Sequence, residues 1–465
     1  MPARFSLVPA PINLQSVPDA VRAFSERFVR GPADTDQAVL DILLRRAPRL
    51  KGRASGLPVR NPGEPLTDAV IRAVLDLDKS YLFIQGPPGT GKTYTAAQAI
   101  VALLRAGKRV GVSSNSHKAI NKLLAEVDAR AAESGFRFSG AKKGNKDAPE
   151  TEFNSANMVT IFDSQEASPQ HRLVGGTVFH FCRDDQRGTY DFLFVDEAGQ
   201  VSLGNIVAMA GAAANIVLVG DQMQLPQPVQ GVHPGETGLS SLEYLLEDRA
   251  TVPEDRGIFL NESRRLHPTL CGFISEAIYD GRLGAHPSTK ARYLRLGSGA
   301  HGALRPAGLS FVPVAHDGCT QSSRPEAEAI AALVRELQTH EIVRDGKASP
   351  VTLDDILIVA PYNLQVNLLK QLLPPGAQVG TVDKFQGQEA AVVIVSMTTS
   401  KGAEAPRGTE FLFNPNRFNV AVSRAQCLAL VVHGAELLEG AWTKIDDLRR
   451  LNLFAHAEAV ALRSA

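Results

Sequence analysis

Cysteine is scarce, charge of either sign does not dominate, and no long apolar run occurs; each shortage excludes something. Cysteine occurs 4 times in 465 residues, at Cys182, Cys271, Cys319 and Cys427, with no CxxC pair and no metal-ligand spacing. A disulfide framework or a structural zinc site therefore has no basis, and a reducing compartment fits. Lys plus Arg and Asp plus Glu both number 49, so the formal charge is zero. That excludes a polybasic protein gripping nucleic acid by net charge alone. The opening MPARFSLVPAPINLQ has no apolar h-region, so a secretory signal is not expected. The longest apolar stretch, 206–220, is broken by Asn215 and falls short of the ~18 residues that indicate a membrane span. A cytoplasmic protein that meets no membrane is the expectation. No solenoid-period repeat or low-complexity tract occurs, and no Asp…Glu-x-Lys nuclease cluster lies in the N-terminal segment.

What is present is an ordinary packed chain, 44% hydrophobic and 21% charged. At about 150 residues per domain, its length suggests roughly three folding units or two large ones. Residues 18–29 and 33–46 have helix-like apolar spacing. A basic run follows, Arg45, Arg46, Arg49, Lys51, Arg53 and Arg60, which fits either a solvated face or a nucleic-acid contact. From residue 66 short apolar runs alternate with amphipathic helices. Strands are expected at 81–85, 109–113, 192–195 and 216–219, with helices at 93–105 and 117–129. A second series places strands at 258–260, 309–314, 356–359, 391–396 and 428–432, with helices at 270–278, 326–337 and 364–373. This alternation predicts an α/β protein with parallel sheets flanked by helices. A turn-rich joint at 251–257 sets the expected boundary near 255. The expected organisation is a short helical N-terminal appendage (1–65), two α/β units (66–255 and 256–440) and a C-terminal tail (441–465).

The segment Gly86-Pro87-Pro88-Gly89-Thr90-Gly91-Lys92-Thr93 fits GxxxxGK[ST] between an expected strand and an expected helix. Small residues let backbone N–H groups curl around phosphate oxygens, and the helix N-terminus adds a favourable dipole. Lys92 is placed to reach the β- and γ-phosphates and Thr93 to ligate magnesium. A nucleotide hydrolase also needs an acidic strand end, and Phe192-Leu-Phe-Val-Asp196-Glu197 supplies one. Asp196 is then the candidate magnesium carboxylate and Glu197 the candidate general base.

Next comes Gly220-Asp221-Gln222-Met-Gln224-Leu-Pro226, and here the sequence resembles superfamily 1 helicases, whose third motif has the form GDxxQLP. Further segments fall into that family's order. Ser113-Ser114-Asn115 with the helix after it is similar to the strand-contacting motif behind the P-loop, and Thr177 sits where the family has a strand-binding Thr. Ser263-Arg264-Arg265-Leu-His267-Pro268 resembles the aromatic-Arg-Met-His-Pro segment, and Ala360-Pro361-Tyr362-Asn-Leu-Gln365 resembles TPYxxQ. Gly380-Thr381-Val-Asp383-Lys-Phe-Gln386-Gly387-Gln-Glu389 is similar to GTVDxFQGxE, and Arg417-Phe-Asn419-Val-Ala-Val-Ser423-Arg424-Ala425 to RxNVAxTRA. The resemblance spans residues 66–435. It is nearest to the type B branch, which holds the nonsense-mediated-decay and DNA-replication helicases, and nearer still to the helicase half of bacterial RecB-like nuclease–helicase fusions.

The resemblance implies two tandem RecA-like P-loop NTPase domains with ATP and Mg²⁺ bound between them. It implies that Gln224 senses the γ-phosphate from the first domain while Arg265 and Arg424 reach it from the second, Arg424 as an arginine finger. It implies that Glu389, beside Gly387, binds the ribose hydroxyls, and that Ser114, Asn115, Thr177, Pro361 and Thr381 contact the strand. Arg417 fits either an ion pair or a phosphate contact. The chain departs from the family in three ways. No adenine-reading Gln stands in Pro65-Leu-Thr67-Asp68-Ala-Val, Arg264 replaces the usual aromatic, and little length is left for an accessory barrel. The expected activity is an ATP-dependent helicase or translocase on single-stranded DNA or RNA, moving 5′→3′. It is expected to act as a monomer, alongside a nuclease if one is encoded separately. The alternative is an ATP-switched clamp that does not separate strands.

Overall fold

The structure is a computed structural model that describes residues 15–31, 36–162, 167–227, 233–385, 387–440 and 442–463. The expected helix start at 33–35 and Gln386 lie outside the described residues.

The first unit is built on an 8-stranded sheet of order β4-β3-β5-β2-β6-β7-β1-β8, parallel throughout. Its strands are β1 (Tyr81–Gln85), β2 (Val110–Ser113), β3 (Gly140–Gly144), β4 (Met158–Phe162), β5 (Leu173–Gly175), β6 (Tyr190–Val195), β7 (Ala213–Gly220) and β8 (Gly257–Phe259). The helices are α1 (Ser16–Arg30), α2 (Gln37–Leu43), α3 (Leu66–Asp76), α4 (Lys92–Arg105), α5 (His117–Glu133), α6 (Val178–Phe181), α7 (Leu203–Ala210) and α8 (Ser241–Leu246). Alternate residues of β1 feed opposite faces: Leu82 and Ile84 pack among α3, α4 and α5, while Tyr81 and Phe83 join α1, α2, α7 and α8. A strand covered on both faces reads as a continuous apolar run, which is why Tyr-Leu-Phe-Ile was legible as a strand.

The second unit carries a 5-stranded sheet, order β12-β18-β17-β15-β16, also parallel. After the short pair β9 (Glu262–Ser263) and β10 (Gly284–Ala285) come β11 (Tyr293–Arg295), β12 (Gly308–Val314), β13 (Glu341–Arg344) and β14 (Lys347–Pro350). The remaining strands are β15 (Ile356–Val359), β16 (Gln378–Gly380), β17 (Ala390–Ser396) and β18 (Ala425–Gly434). Strands β11, β13 and β14 form a separate antiparallel sheet. The helices are α9 (Pro268–Ile278), α10 (Arg324–Leu337), α11 (Asn363–Leu372), α12 (Thr409–Leu412), α13 (Pro415–Val422) and α14 (Ile445–Arg463). Two parallel sheets flanked by helices match the tandem RecA-like arrangement that the motifs implied.

Several readings change. The strand expected at 258–260 in the second series is instead β8, paired with β1 at the edge of the first sheet. The chain completes the first sheet before it crosses, and an isolated apolar triplet carries no signal of which sheet it joins. The stretch between Asn121 and Val174 supplies two further parallel strands, β3 and β4. The tail is largely the helix α14, whose Leu451, Phe454, Ala457 and Ala461 are buried against α9 and β12.

The N-terminal helices are covering layers of the first sheet, with α1 on α7 and α2 on β1 and β7. Their buried acids are paired: Asp36 lies 3.3 Å from Arg27 and 3.2 Å from Arg187, and Asp41 lies 2.6 Å from Arg49. Arg45 meets Glu236 at 2.6 Å, while Arg53 donates to the Val59 carbonyl and Arg60 to the Glu64 carbonyl. These members of the basic run are committed to internal partners rather than to an open basic face. No helix among the described residues is long and apolar enough to cross a membrane.

Candidate functional site

The carboxyl ends of the first unit's parallel strands carry the P-loop, Asp196, Glu197 and Gln224, the edge where open α/β sheets bind ligands, whereas Glu389 and Arg424 stand just before β17 and β18, at their amino ends. The loop after β1 turns through Gly89 and Gly91, both at positive φ, and delivers Lys92 and Thr93 as the first residues of α4. A Cβ at Gly89 would lie 2.4 Å from Arg265 Cβ, so glycine is needed there for close approach as well as for φ. The Lys92 ammonium donates to the Gly86 carbonyl at 2.6 Å, which folds it over the loop. Directly after β6, Asp196 is buried, and Glu197 adopts a left-handed φ of 51°, a strained conformation for a non-glycine residue. Burial and the neighbouring Glu197 charge push the Asp196 carboxyl above the usual carboxylate range. That environment favours a cation beside it.

The second unit closes over this loop through β9 and the residues after it. Ser263 Oγ donates to the Pro88 carbonyl at 2.9 Å, and the Arg264 N–H donates to the Gly89 carbonyl at 2.8 Å. One cavity of about 320 Å³ results, lined by Pro87, Pro88, Gly89, Thr90, Gly91, Lys92, Thr93, Glu197 and Gln224 from one side and by Arg264, Arg265, Gly387, Glu389 and Arg424 from the other. Gly86 and Asp196 lie just outside its lining. Arg265 pairs with Glu389. Arg424 is 3% exposed, and its Nη1 donates to the Gln388 carbonyl at 3.4 Å. Its Nε and Nη2 are buried with no hydrogen-bond partner. Burial and the nearby Arg265 charge push this guanidinium down to about 10. A buried cation with two unanswered donors is costly unless an anion faces it.

The expected strand contacts fall into two further cavities. Ser114 and Asn115, just beyond β2, line one of about 380 Å³ together with Lys118, Lys122 and Gln200 of the first unit and Asp383, Lys384 and Gln388 of the second. Asn115 donates to the Gln200 carbonyl. Pro361 and Thr381, just beyond β15 and β16, line another of about 370 Å³ with Tyr362, Arg407, Phe411 and Arg417. Arg417 is ion-paired with Asp383 at 3.3 Å and lies 4.6 Å from the Phe411 ring centre. Tyr362 is buried with its ring 5.6 Å from Phe411. Thr177 follows β5 as the N-cap of α6 and lines neither cavity.

Two family models, each described as an AAA domain, match residues 68–237 and 239–436. The "DNA replication ATP-dependent helicase/nuclease JHS1" of Arabidopsis thaliana is 28% identical over 76% of this chain and 27% of its own length. The "DNA-binding protein SMUBP-2" of Mesocricetus auratus is 26% identical over 75% of this chain and 40% of its own length. The homologues of this chain are superfamily 1 helicases, at about 26–28% identity. A solved arterivirus nonstructural protein 10 helicase bound to DNA overlays at a TM-score of 0.42 and 14% identity, over 80% of this chain and 62% of that one. The chain spans well under half the length of the two curated relatives named.

Not all of the candidate site was visible in motifs. Lys122 lines both the cavity beside the P-loop and the one beside Asn115, yet it sits on α5 seven residues past Asn115 and is not singled out by any motif. Ser263, which donates to the P-loop, heads the Arg264-Arg265 segment but is given no role by it, and Gln426, which donates to Glu389, follows directly after the last motif. The basic Lys142-Lys143 pair lies on β3. Lys142 is fully buried, with its ammonium 2.9 Å from His117 Nδ1 and donating to the Lys143 and Thr151 carbonyls at 2.6 and 3.2 Å. His267 is structural, its Nδ1 accepting the Thr269 N–H at the start of α9.

Proposed function

We propose that this chain hydrolyses ATP with Mg²⁺ in the cleft between two RecA-like units and uses that cycle to move 5′→3′ along single-stranded DNA or RNA and separate strands. The observation that carries the reading is Arg424, a buried guanidinium with two unpartnered donors, on a residue that lines the same cavity as Lys92, Glu197 and Gln224. A transferring phosphoryl group spreads charge over its oxygens, and a planar guanidinium answers that charge in a way an ammonium does not. Lys92 and the P-loop amides would hold the phosphates, Gln224 and Arg265 would flank the γ-phosphate, and Glu197 would take the proton of the attacking water. Glu389 would bind the ribose. Thr93 and Asp196 suit magnesium, which takes few protein oxygens and completes its shell with phosphate and water. When bound, the ion would neutralise phosphate charge. Contacts from both units make closure depend on the nucleotide, so hydrolysis would move one unit against the other.

In the same reading Ser114, Asn115, Pro361 and Thr381 line the strand path, with Thr177 at its margin, and backbone contacts of this kind suit DNA and RNA alike. The pairing of β8 with β1 supports ending the first unit after Phe259 rather than at 255. Four free cysteines support a reducing cytoplasm. A monomer working with a separately encoded nuclease is part of the proposal, the latter suggested by the helicase/nuclease name of one relative. The test is magnesium-dependent ATPase activity with and without single-stranded DNA and RNA, followed by unwinding of tailed duplexes of both polarities. Stimulation and 5′→3′ unwinding support the proposal. ATPase without strand separation or directional movement would favour an ATP-switched clamp, and no stimulation at low salt would reject both.

A further inference from the structure

The Asp221–Gln224 turn is tied to the second unit by a chain of buried hydrogen bonds that no motif announces. Gln224 Nε2 donates to Asp221 Oδ2 at 2.9 Å. Tyr279, the residue that ends α9, donates its hydroxyl to the same oxygen at 2.7 Å. Asn419 of α13 then donates from Nδ2 to that hydroxyl at 2.9 Å and to the Met223 carbonyl at 2.8 Å. Asp221, Gln224, Tyr279 and Asn419 are all buried, Tyr279 and Asn419 with no exposed surface.

The chemistry of the groups fixes the direction of this chain. An amide nitrogen can only donate and an ionised carboxylate can only accept, so the Tyr279 hydroxyl has a single consistent orientation. Asp221 also accepts from the Met223 N–H at 3.2 Å and from Gln85 at 3.4 Å, which satisfies the carboxylate despite its burial. The relay therefore holds Gln224 on one side of the cleft and α13 on the other. Arg424 lies two residues beyond the end of α13.

We propose that Tyr279 is a positioning residue for hydrolysis: it sets Gln224 through Asp221 and registers α13, and with it Arg424, against the first unit through Asn419. This rests on the nucleotide reading of the cavity given above. A low-dielectric network of this kind transmits a misplacement at one end to the other, because Tyr279 and Asn419 at its centre have no water to turn to instead. The hydroxyl itself touches no phosphate in this scheme.

The test uses the full chain with Tyr279→Phe, which removes one oxygen and keeps the ring packed 6.2 Å from Phe259. Losing a charge-assisted bond that positions transition-state contacts should lower kcat for ATP by about tenfold. KM for ATP should stay within about twofold, since the interaction lost acts in the transition state. Asn419→Ala should reduce kcat as well, and the double variant should be no worse than the poorer single one, because the two act through one path. A merely structural role would lower the thermal midpoint and leave kcat per folded molecule unchanged. Tyr279→Phe with wild-type kcat, or losses that multiply in the double variant, would overturn the relay while the active wild type upheld the proposed function. A wild type that hydrolyses no ATP would overturn both.

Discussion

Arg265 and Glu389, 124 residues apart in the chain, form an ion pair at the cavity beside the P-loop, with Arg265 Nε donating to Glu389 Oε2. The other carboxylate oxygen accepts from Gln426 at 2.9 Å. Burial pushes the Glu389 carboxyl up, but the Arg265 charge and hydrogen bond outweigh it, so the group sits below its ordinary 4.5. The pair joins two residues that the proposed function assigns to different parts of one nucleotide. Glu389 would set Arg265 while offering its second oxygen to the ribose.

Removing that charge should weaken nucleotide binding before it affects turnover. Glu389→Gln is expected to raise KM for ATP by about tenfold, the loss of one charge-assisted hydrogen bond, with a smaller change in kcat. Steady-state ATPase titrations measure both. A variant with unchanged KM would remove Glu389 from the nucleotide site.

Arg424 should behave as a transition-state contact. Arg424→Ala is expected to lower kcat by about 10³ while leaving nucleotide affinity within a few-fold. Arg424→Lys should recover little, because an ammonium cannot present two donors in one plane. Rates near wild type in the lysine variant would argue for a simple charge role.

Separating binding from chemistry tests Glu197. Glu197→Gln keeps the shape and removes the base, so hydrolysis should fall by about 10²–10⁴ while a fluorescent ATP analogue still binds. Lys92→Ala should lose hydrolysis altogether. Retained turnover in either variant would reject the site assignment.

Lys142 gives a pH signature. Burial lowers its ammonium from 10.5 to about 8, so between those values the unfolded chain binds the proton more readily than the folded one. Stability from this residue therefore rises with pH across that window and adds nothing further above it. Chemical denaturation at pH 7.5 and 9.5 should show the increment in the wild type and its loss in Lys142→Met. Equal pH increments in the two proteins would contradict a buried, destabilised ammonium.

The C-terminal helix is expected to be part of the fold. Phe454 packs 5.2 Å from Phe311, 5.6 Å from Phe413 and 5.8 Å from Phe418, measured between ring centres, in the core behind β12 and α13. Phe454→Ala should cost about 3–5 kcal/mol by the usual cavity penalty, read as a lowered midpoint in urea.

Much of this molecule was legible in one dimension because its chemistry is local. The P-loop is a strand, a glycine-rich turn and a helix start within a dozen residues. Asp196 and Glu197 follow directly on an apolar strand. Such segments carry their own geometry, and doubly covered strands such as β1 and β17 announce themselves by unbroken apolar runs. Short edge elements did not. Gly257–Phe259 holds too few residues to declare its sheet, and α14 alternates polar and apolar residues without a capping signal strong enough to mark it.

The sequence by itself determined the motifs, their order, the two α/β units and the residue types of the P-loop segment. Only the tertiary structure decided which of those residues share a cavity, that the arginines of 45–60 are mostly held by internal partners, that Lys142 is buried, and that Tyr279 joins Asp221 to Asn419. The reason is physical. Backbone propensity and side-chain period act over a few residues, whereas a buried hydrogen bond or ion pair depends on where two distant segments meet, and that is set by the packing of the whole chain.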